Sequence, residues 1–572
     1  MTSLIARLND ISGQIDEVRK ICQVPSISYG VIHDGEVVLT KSVGFRDEHQ
    51  KLEANPDSIY MIGSCSKMFA SAAAGILVDE GKLHWLDPIS KHLSDFNPAG
   101  DANIGKKADI IDGFRHSTGL ACPQLLCLGP HGTIINDETD YIRLLNAMPT
   151  ANHEGQRFNS WWMYNNYPYG LMAKVIEKAS GSRYAHFLKE RILSPLGMSR
   201  TAVFKSDIRD DDNIAYPHFP LSDGTFAQVS ADAWPCDDHS PMLAAMGMRS
   251  SLNDMLAWSK AVLAAEWNEN QTGDCKVRES PSPNPLKQMN KIRTGYWTRP
   301  VDDQFQNEAE YCLGWLRVTT PSSMLGLLSF DGMMRKEKAH LDNILGTKSK
   351  QHLAIGHNGL MPGSSAFVYT FPETQSGVVV LSNGLGLADA SEFTAQLLIQ
   401  ALFDLRPHIN LMPLIKMESD LRRDWYQTKV LGPWLANRKP NDQERHRQLY
   451  IGDYKGVDDT ATLSILPKGG NTGSDPALTV VFNHHAKTIC DLGFYKQDTY
   501  SFMSTSYDNW KTSSTLGWND YRRTLLVFHL DESETEVVGL EWTWDEDEKP
   551  AWMKKISDSR TQDRFSEMHN LS

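Results

Sequence analysis

Several features are missing from this 572-residue chain, and each absence removes a class of function. There is no long run of Lys or Arg, and the net charge is −14, which argues against nucleic acid or an anionic membrane surface as the main partner. No stretch approaches the roughly 20 apolar residues of a membrane span. The opening residues, MTSLIARLNDISGQIDEVRK, alternate charged and apolar side chains and carry no apolar signal core, so a cytoplasmic location is expected. The eight cysteines are scattered without a C-x-x-C pair, and Cys122 and Cys127, the closest two, read as ordinary buried thiols. Without H-E-x-x-H no zinc site announces itself, and no cofactor is expected. Without G-x-S-x-G the nucleophile elbow of α/β-hydrolases is excluded. No internal repeat is visible.

What remains is an ordinary globular composition, 41% hydrophobic and 22% charged, in a chain long enough for two or three domains. Residues 3–21 read as an amphipathic helix. Ser26–Ile32 and Val37–Gly44 read as strands around the turn Asp34-Gly35. Helices are expected over Met61–Glu80, stopped by Gly81, over Tyr164–Ala179, ended near Gly181, and over Leu252–Ala265 and Ala388–Phe403. Ala366–Tyr369 and Gly377–Leu381 form a strand pair around Pro372-Glu373. Strands first, helices in the middle, then strands and a helix describe an α+β fold, an antiparallel sheet flanked by helices. Residues 1–410 are assigned to this unit and 411–445, charged and helix-like, to a connector. From 446 to 572 short alternating segments (Thr460–Leu466, Ala477–Phe482, Asp498–Met503, Leu525–Leu530, Glu536–Trp544) suggest a small all-β barrel or sandwich. Its aromatic residues suit a packed interior, or else stacking of a ligand.

The chemistry gathers at Gly63-Ser64-Cys65-Ser66-Lys67. An isolated S-x-x-K arises by chance roughly twice in a chain of this length and composition. Here it opens a helix whose next eleven residues, Met68 to Val78, are uncharged. Such a helix should be buried, and Lys67, three residues on, shares a face with Ser64. Burial favours a neutral lysine, a plausible base for the Ser64 hydroxyl. The amides at the helix start would lie close to Ser64. Ser66 competes as nucleophile but has no Lys three residues on.

The segment Ser58-Ile59-Tyr60-Met61-Ile62-Gly63-Ser64-Cys65-Ser66-Lys67 resembles the first motif of class C β-lactamases, D-aminopeptidases and related penicillin-binding-protein-like esterases and transacylases. The resemblance continues in order. Phe114-Arg115-His116-Ser117-Thr118-Gly119-Leu120 is similar to the family's LLxHTSGL block, with Thr and Ser exchanged. Tyr164-Asn165-Asn166 resembles Y-x-N, and Pro195-Leu196-Gly197-Met198 the PLGM block. Gly247-Met248 and Ser250 to Asp254 resemble the segment after that block. Gly356-His357-Asn358-Gly359 resembles the third motif in its H-x-G form. The matches cover roughly residues 20–405.

The resemblance implies a β-lactamase/transpeptidase-like fold and a serine hydrolase or acyltransferase working through acyl-Ser64. Lys67 and Tyr164 would share the proton work, and Asn166 would hold Lys67 or the substrate. His357 stands where penicillin-recognising members usually carry Lys. It is charged only part of the time near neutral pH, so it is expected to orient Tyr164 or the substrate by a neutral hydrogen bond. Gly359 would let substrate lie against the strand. The amides of Ser64 and Leu360 would form the oxyanion hole. No Glu-bearing omega-loop motif of the class A type is assignable. An esterase or thioesterase ranks first, acting on a small-molecule acyl substrate, free or carrier-bound, in a biosynthetic setting. A transacylase, a D-aminopeptidase-like amidase and a catalytically silent acyl-ligand-binding protein follow. The C-terminal module resembles the barrel-like, sometimes lipocalin-like, modules of several relatives. One segment departs from the family: about 40 residues separate Tyr311-Cys312-Leu313-Gly314-Trp315 from the third motif. Its apolar runs, Met324 to Leu328 and Met333-Met334, read as a lid over the Ser64 pocket or as a surface excursion.

Overall fold

A computed structural model describes residues 3–123, 126, 128–150, 158–229, 235–270, 284–299, 307–329, 343–470, 475–513, 520–544 and 549–556. The larger part is built on a nine-stranded antiparallel sheet. Its strands are β1 (Ser26–His33), β2 (Glu36–Asp47), β3 (Leu52–Glu53), β4 (Trp297–Arg299), β5 (Ala309–Tyr311), β6 (Leu316–Thr320), β7 (His352–Met361), β8 (Ser364–Phe371) and β9 (Ser376–Ser382). The spatial order is β3-β2-β1-β9-β8-β7-β6-β5-β4, so β1 pairs with β9 and joins the two ends of this unit. The β1–β2 turn is the expected one. Asp34 and Gly35 both have positive φ, 50° and 78°, the twist a two-residue hairpin needs.

Alternation along each strand sends side chains to two layers. Gly30 faces the front layer, where a Cβ would lie 2.8 Å from Leu256, and Tyr29 faces the back. The front layer holds α3 (Ser66–Asp79), α4 (Tyr167–Ser180) and α5 (Leu252–Asn270). The back layer holds α1 (Leu4–Asp10), α2 (Ser12–Cys22), α6 (Ala390–Phe403) and the inner face of α7 (Met412–Trp425). The expected first helix is therefore two, broken at Ile11. Helix α3 starts later than the apolar run suggests, because Gly63–Cys65 form a 3₁₀ turn ahead of it. Gly81 and Gly181 adopt the left-handed conformation that ends α3 and α4.

The connector packs as part of the back layer. Leu414 and Ile415 of α7 are buried there, and a π-helical stretch, Tyr426–Leu431, leads into α8 (Gly432–Asn437). Eight strands then close a barrel: β10 (Gly452–Gly456), β11 (Ala461–Pro467), β12 (Leu478–Phe482), β13 (Cys490–Lys496), β14 (Thr499–Ser501), β15 (Leu525–Leu530), β16 (Val537–Trp542) and β17 (Ala551–Ile556). Three of them, β10, β13 and β17, were not legible as strands because Gly, Asp and Lys interrupt their alternation. Aromatic side chains fill the interior: Phe482 meets Trp542 at 5.3 Å and Tyr450 meets Phe528 at 4.8 Å between ring centres. This is the packed-interior alternative rather than a ligand-stacking one. The barrel rests on the larger unit through Asn483, which donates to the Ile135 carbonyl at 2.8 Å, and Asp508, which accepts from the amide and hydroxyl of Ser222. Among the described residues no helix is long and apolar enough to cross a membrane.

The long segment before the third motif is not a lid where it is described. Leu325 and Leu328 join the back-layer core with Leu345. Ser329 donates to buried Glu392 of α6 at 2.5 Å, and a Cβ on Gly326 would strike that same carboxylate. These apolar side chains complete the core on the sheet face opposite Ser64. Met333, Met334 and the basic stretch Arg335 to Lys338 lie outside the described residues.

The back layer makes the connector a stability element. Ile415→Ala should cost about 2–5 kcal/mol, as buried aliphatic truncations do. Leu435→Ala, at a position 51% exposed, should stay within about 0.5 kcal/mol. Denaturant midpoints of the two variants check this.

Candidate active site

Between residues 58 and 77 every side chain is buried except Ser64. The 3₁₀ turn presents Ser64 to the outside while the uncharged helix behind it anchors the turn in the front-layer core. Ser66 faces inward. Its hydroxyl donates to the Gly63 carbonyl at 2.6 Å and accepts from the Met248 amide at 3.0 Å, so its hydrogen-bonding capacity is committed to the backbone.

Lys67 is fully buried and shares the Ser64 face, as the three-residue spacing requires. Its Nζ donates to Ser64 Oγ at 3.1 Å, to Asn166 Oδ1 at 2.7 Å and to the Ala245 carbonyl at 2.9 Å. The rings of Tyr164 and Tyr169 flank it at 4.9 and 5.1 Å. Asn166 sits at the N-cap position of α4 but makes no capping bond, because its side chain turns to Lys67. Tyr169 donates to the Phe114 carbonyl at 2.5 Å, and burial raises its pKa well above the ordinary range. The Ala245 carbonyl and the Tyr169 ring are parts of the site that sequence reasoning missed. A carbonyl has no residue signature, and Tyr169 stood in view only as a residue following Y-x-N.

Tyr164 is half-buried, and its position is fixed by His116. The His116 carbonyl accepts from the Met163 amide at 3.1 Å, and its Nδ1 accepts from the Asn165 amide at 3.1 Å. Tyr164 is thus bracketed by two bonds to one residue, whose ring lies 4.5 Å away. His116 itself takes φ = 65°, a conformation held by these bonds. Burial, then the Lys67 charge, holds its pKa well below the usual imidazole value, so the ring is neutral.

His357 departs from the expected role. Its ring is fully buried, and its hydrogen bond goes to Tyr311, not to Tyr164, whose ring centre is 6.1 Å away. Burial, reinforced by the Lys67 charge, lowers its pKa to about 3. The neutral ring carries one proton. A carbonyl oxygen, that of Asn358, lies 2.5 Å from Nδ1 and can only accept, so the proton is there. Nε2 therefore accepts from the Tyr311 hydroxyl at 3.1 Å. Burial of the ring is what excludes partial protonation near pH 7. Tyr311 also touches His116 and Trp162, with ring centres 4.6 and 5.5 Å away, and was missed as part of the site.

Gly359 has a different reason from the one anticipated. A Cβ there would fall 1.9 Å from the Ile62 carbonyl, so glycine lets β7 approach the chain that carries Ser64 rather than making room for substrate. Leu360 follows at the same approach, with its amide 2.7 Å from where a Cβ on Gly63 would sit. The chain at Gly63-Ser64 and the chain at Gly359-Leu360 are therefore in close backbone approach.

The fold has counterparts among known proteins. Among solved structures the fold resembles the octameric penicillin-binding protein homologue from Pyrococcus abyssi (TM-score 0.53, 19% identity, 96% of this chain and 100% of that one). It also resembles the D-alanine carboxypeptidase AmpC from Burkholderia cenocepacia (TM-score 0.51, 17% identity, 69% and 99%). Curated relatives include the unguisins hydrolase of Aspergillus violaceofuscus, 23% identical over 319 residues covering 54% of each chain. Protein flp of Staphylococcus aureus is 25% identical over 380 residues, covering 66% of this chain and 64% of that one. These matches span about half to two-thirds of the relatives' own lengths. The Beta-lactamase family description matches residues 11–402. On that match, with the fold and the ordered motifs, the chain belongs to the Beta-lactamase family of serine hydrolases and penicillin-binding-protein-like enzymes.

Proposed function

We propose that this protein is a serine hydrolase or acyltransferase that forms an acyl-Ser64 intermediate from an ester or thioester. The observation that carries the reading is the 3.1 Å contact between Lys67 Nζ and the one side chain of residues 58–77 that is not buried, Ser64. In the reacting form Lys67 is neutral, and Ser64 Oγ gives its proton into the Lys67–Tyr164 pair as it bonds to the substrate carbonyl carbon. The carbonyl oxygen gains the negative charge and lies between the amides of Ser64 and Leu360. Collapse breaks the bond to the alkoxide or thiolate, which takes a proton back from the same pair. Water or a second nucleophile then reverses these steps on the acyl-enzyme. Asn166 and Ala245 keep Lys67 in place throughout, and Tyr311 fixes the ring of His357 on β7.

A neutral, buried His357 offers no cation at the third motif, which supports an ester or thioester over a β-lactam held there by its carboxylate. The amidase reading shares the same proton relay. A silent binding protein is disfavoured because Ser64, Lys67 and Tyr164 are all present and Lys67 contacts Ser64.

Ser64→Ala should abolish labelling by a fluorophosphonate probe. Ser66→Ala should destabilise the fold by about 1–3 kcal/mol, through the unpaired Met248 amide, yet still label. Labelling that survives Ser64→Ala would displace the nucleophile. Tyr164→Phe should slow pre-steady-state acylation at least about 100-fold. His357→Gln should lower kcat/KM without moving the apparent pKa values of its pH profile between 5 and 8, since a ring with a pKa of about 3 is neutral throughout that range. A limb of the profile that vanishes in this variant would show that His357 titrates.

A further inference from the structure

Beside Tyr164 lies a group of hydrogen-bond donors that no acceptor of the described protein satisfies. Arg299 ends β4 and stacks its guanidinium on Trp162, 4.0 Å from the ring centre. It makes no ion pair or hydrogen bond among the described residues, and its Nε is buried without a partner. Strand register explains the missing counter-charge. Ala309 faces Arg299 across the ladder, whereas Glu310 is opposite Thr298 on the other face and pairs with Arg317 at 3.2 Å. The indole N–H of Trp162 is also buried without an acceptor. His116 adds a third donor. Its Nδ1 accepts from the Asn165 amide, so the proton of the neutral ring is on Nε2, which is buried and unpartnered too. The three side chains are neighbours: the Trp162 ring lies 5.7 Å from His116 and 6.3 Å from Tyr164.

Another arginine shows how this protein treats a guanidinium used only for structure. Buried Arg249 donates to the carbonyls of Val203, Gly247, Pro235 and Cys236. Arg299 has none of this among the described residues: it is partly buried, and its Nε is shut away from water without an acceptor, which is costly. A lining of donors with one permanent positive charge is complementary to an oxyanion and repels an ammonium.

We propose that Arg299, with Trp162 and His116, binds an anionic group, carboxylate or phosphate, on the part of the substrate remote from the scissile carbonyl. The inference rests on the reading of Ser64 as nucleophile and narrows it. The substrate is an ester or thioester with an acidic tail, and a D-amino acid amide, whose free amine is cationic, is disfavoured. The positive charge absent from the third motif is supplied instead from the edge strand of the sheet.

The test uses full-length Ser64→Ala protein, in which binding is read without turnover. Calorimetry would compare monomethyl glutarate, a methyl ester with a terminal phosphate on a chain of similar length, and neutral dimethyl glutarate. At least one anionic ester should bind about 10-fold or more tightly than the diester, and which one does so identifies the anion. Adding Arg299→Gln should remove that preference, and Arg299→Lys should retain part of it. Trp162→Phe, which keeps the ring and deletes the N–H, should weaken the anionic ester and leave the diester unchanged, and it serves if the Gln variant does not fold. An anionic ester that binds no better than the diester, or a preference that survives Arg299→Gln, would overturn the proposal. Fluorophosphonate labelling of Ser64 in the unmutated chain tests the nucleophile separately, so the two readings fail independently.

Discussion

A lysine side chain buried to zero exposure beside a serine hydroxyl is the constraint from which much of this protein follows. An ammonium taken out of water needs acceptors, and the fold delivers them from three distant places: the turn of Ser64, the start of α4 at Asn166 and the short helix that ends near Ala245. Bringing these together requires the uncharged helix α3 to sit at the centre of the front layer, with α4 against it. The lysine that the chemistry needs is thus also a point of convergence for the packing. Burial, with the Lys67 charge adding to it, keeps the nearby imidazoles neutral, and His116 and His357 serve as fixed hydrogen-bonding rings.

The second constraint is backbone proximity. The Ser64 turn and β7 come so close that neither Gly63 nor Gly359 has room for a Cβ. Two backbone segments nearly 300 residues apart are thereby held against each other, and the oxyanion donors proposed above, the amides of Ser64 and Leu360, come from these two segments. Such donors lose little orientational freedom when charge develops opposite them, which is the advantage of building an oxyanion site from backbone.

Much of this was legible in the sequence, and what was not failed for identifiable reasons. The Ser64–Lys67 spacing is local and helical, so it could be read directly. Tyr164, Asn166 and His357 could be placed near the nucleophile through the resemblance, because their distance from it is set by the whole fold. The Ala245 carbonyl could not, since any residue offers a carbonyl. The partner of His357 was misjudged because Tyr311 lies 46 positions away and reaches it only through sheet pairing. The Met324 to Leu328 run reads as a lid or a surface excursion, and neither matches its place in the back-layer core, because an apolar stretch looks alike whether it covers a pocket or completes a core. Arg299 is illegible in principle. Its meaning lies in the partners it lacks among the described residues, which strand register reveals.

The way the sheets end has a consequence for how this protein meets copies of itself. At the outer margins of the large sheet stand β3, two residues long, and β4, three residues long, and the barrel closes on itself. β3 flanks β2 only at Phe45 and Asp47, however, so most of the outer edge of the twelve-residue β2 has no strand beside it among the described residues. Such an edge is a template for strand addition by a neighbouring molecule, the usual hazard of a large antiparallel sheet.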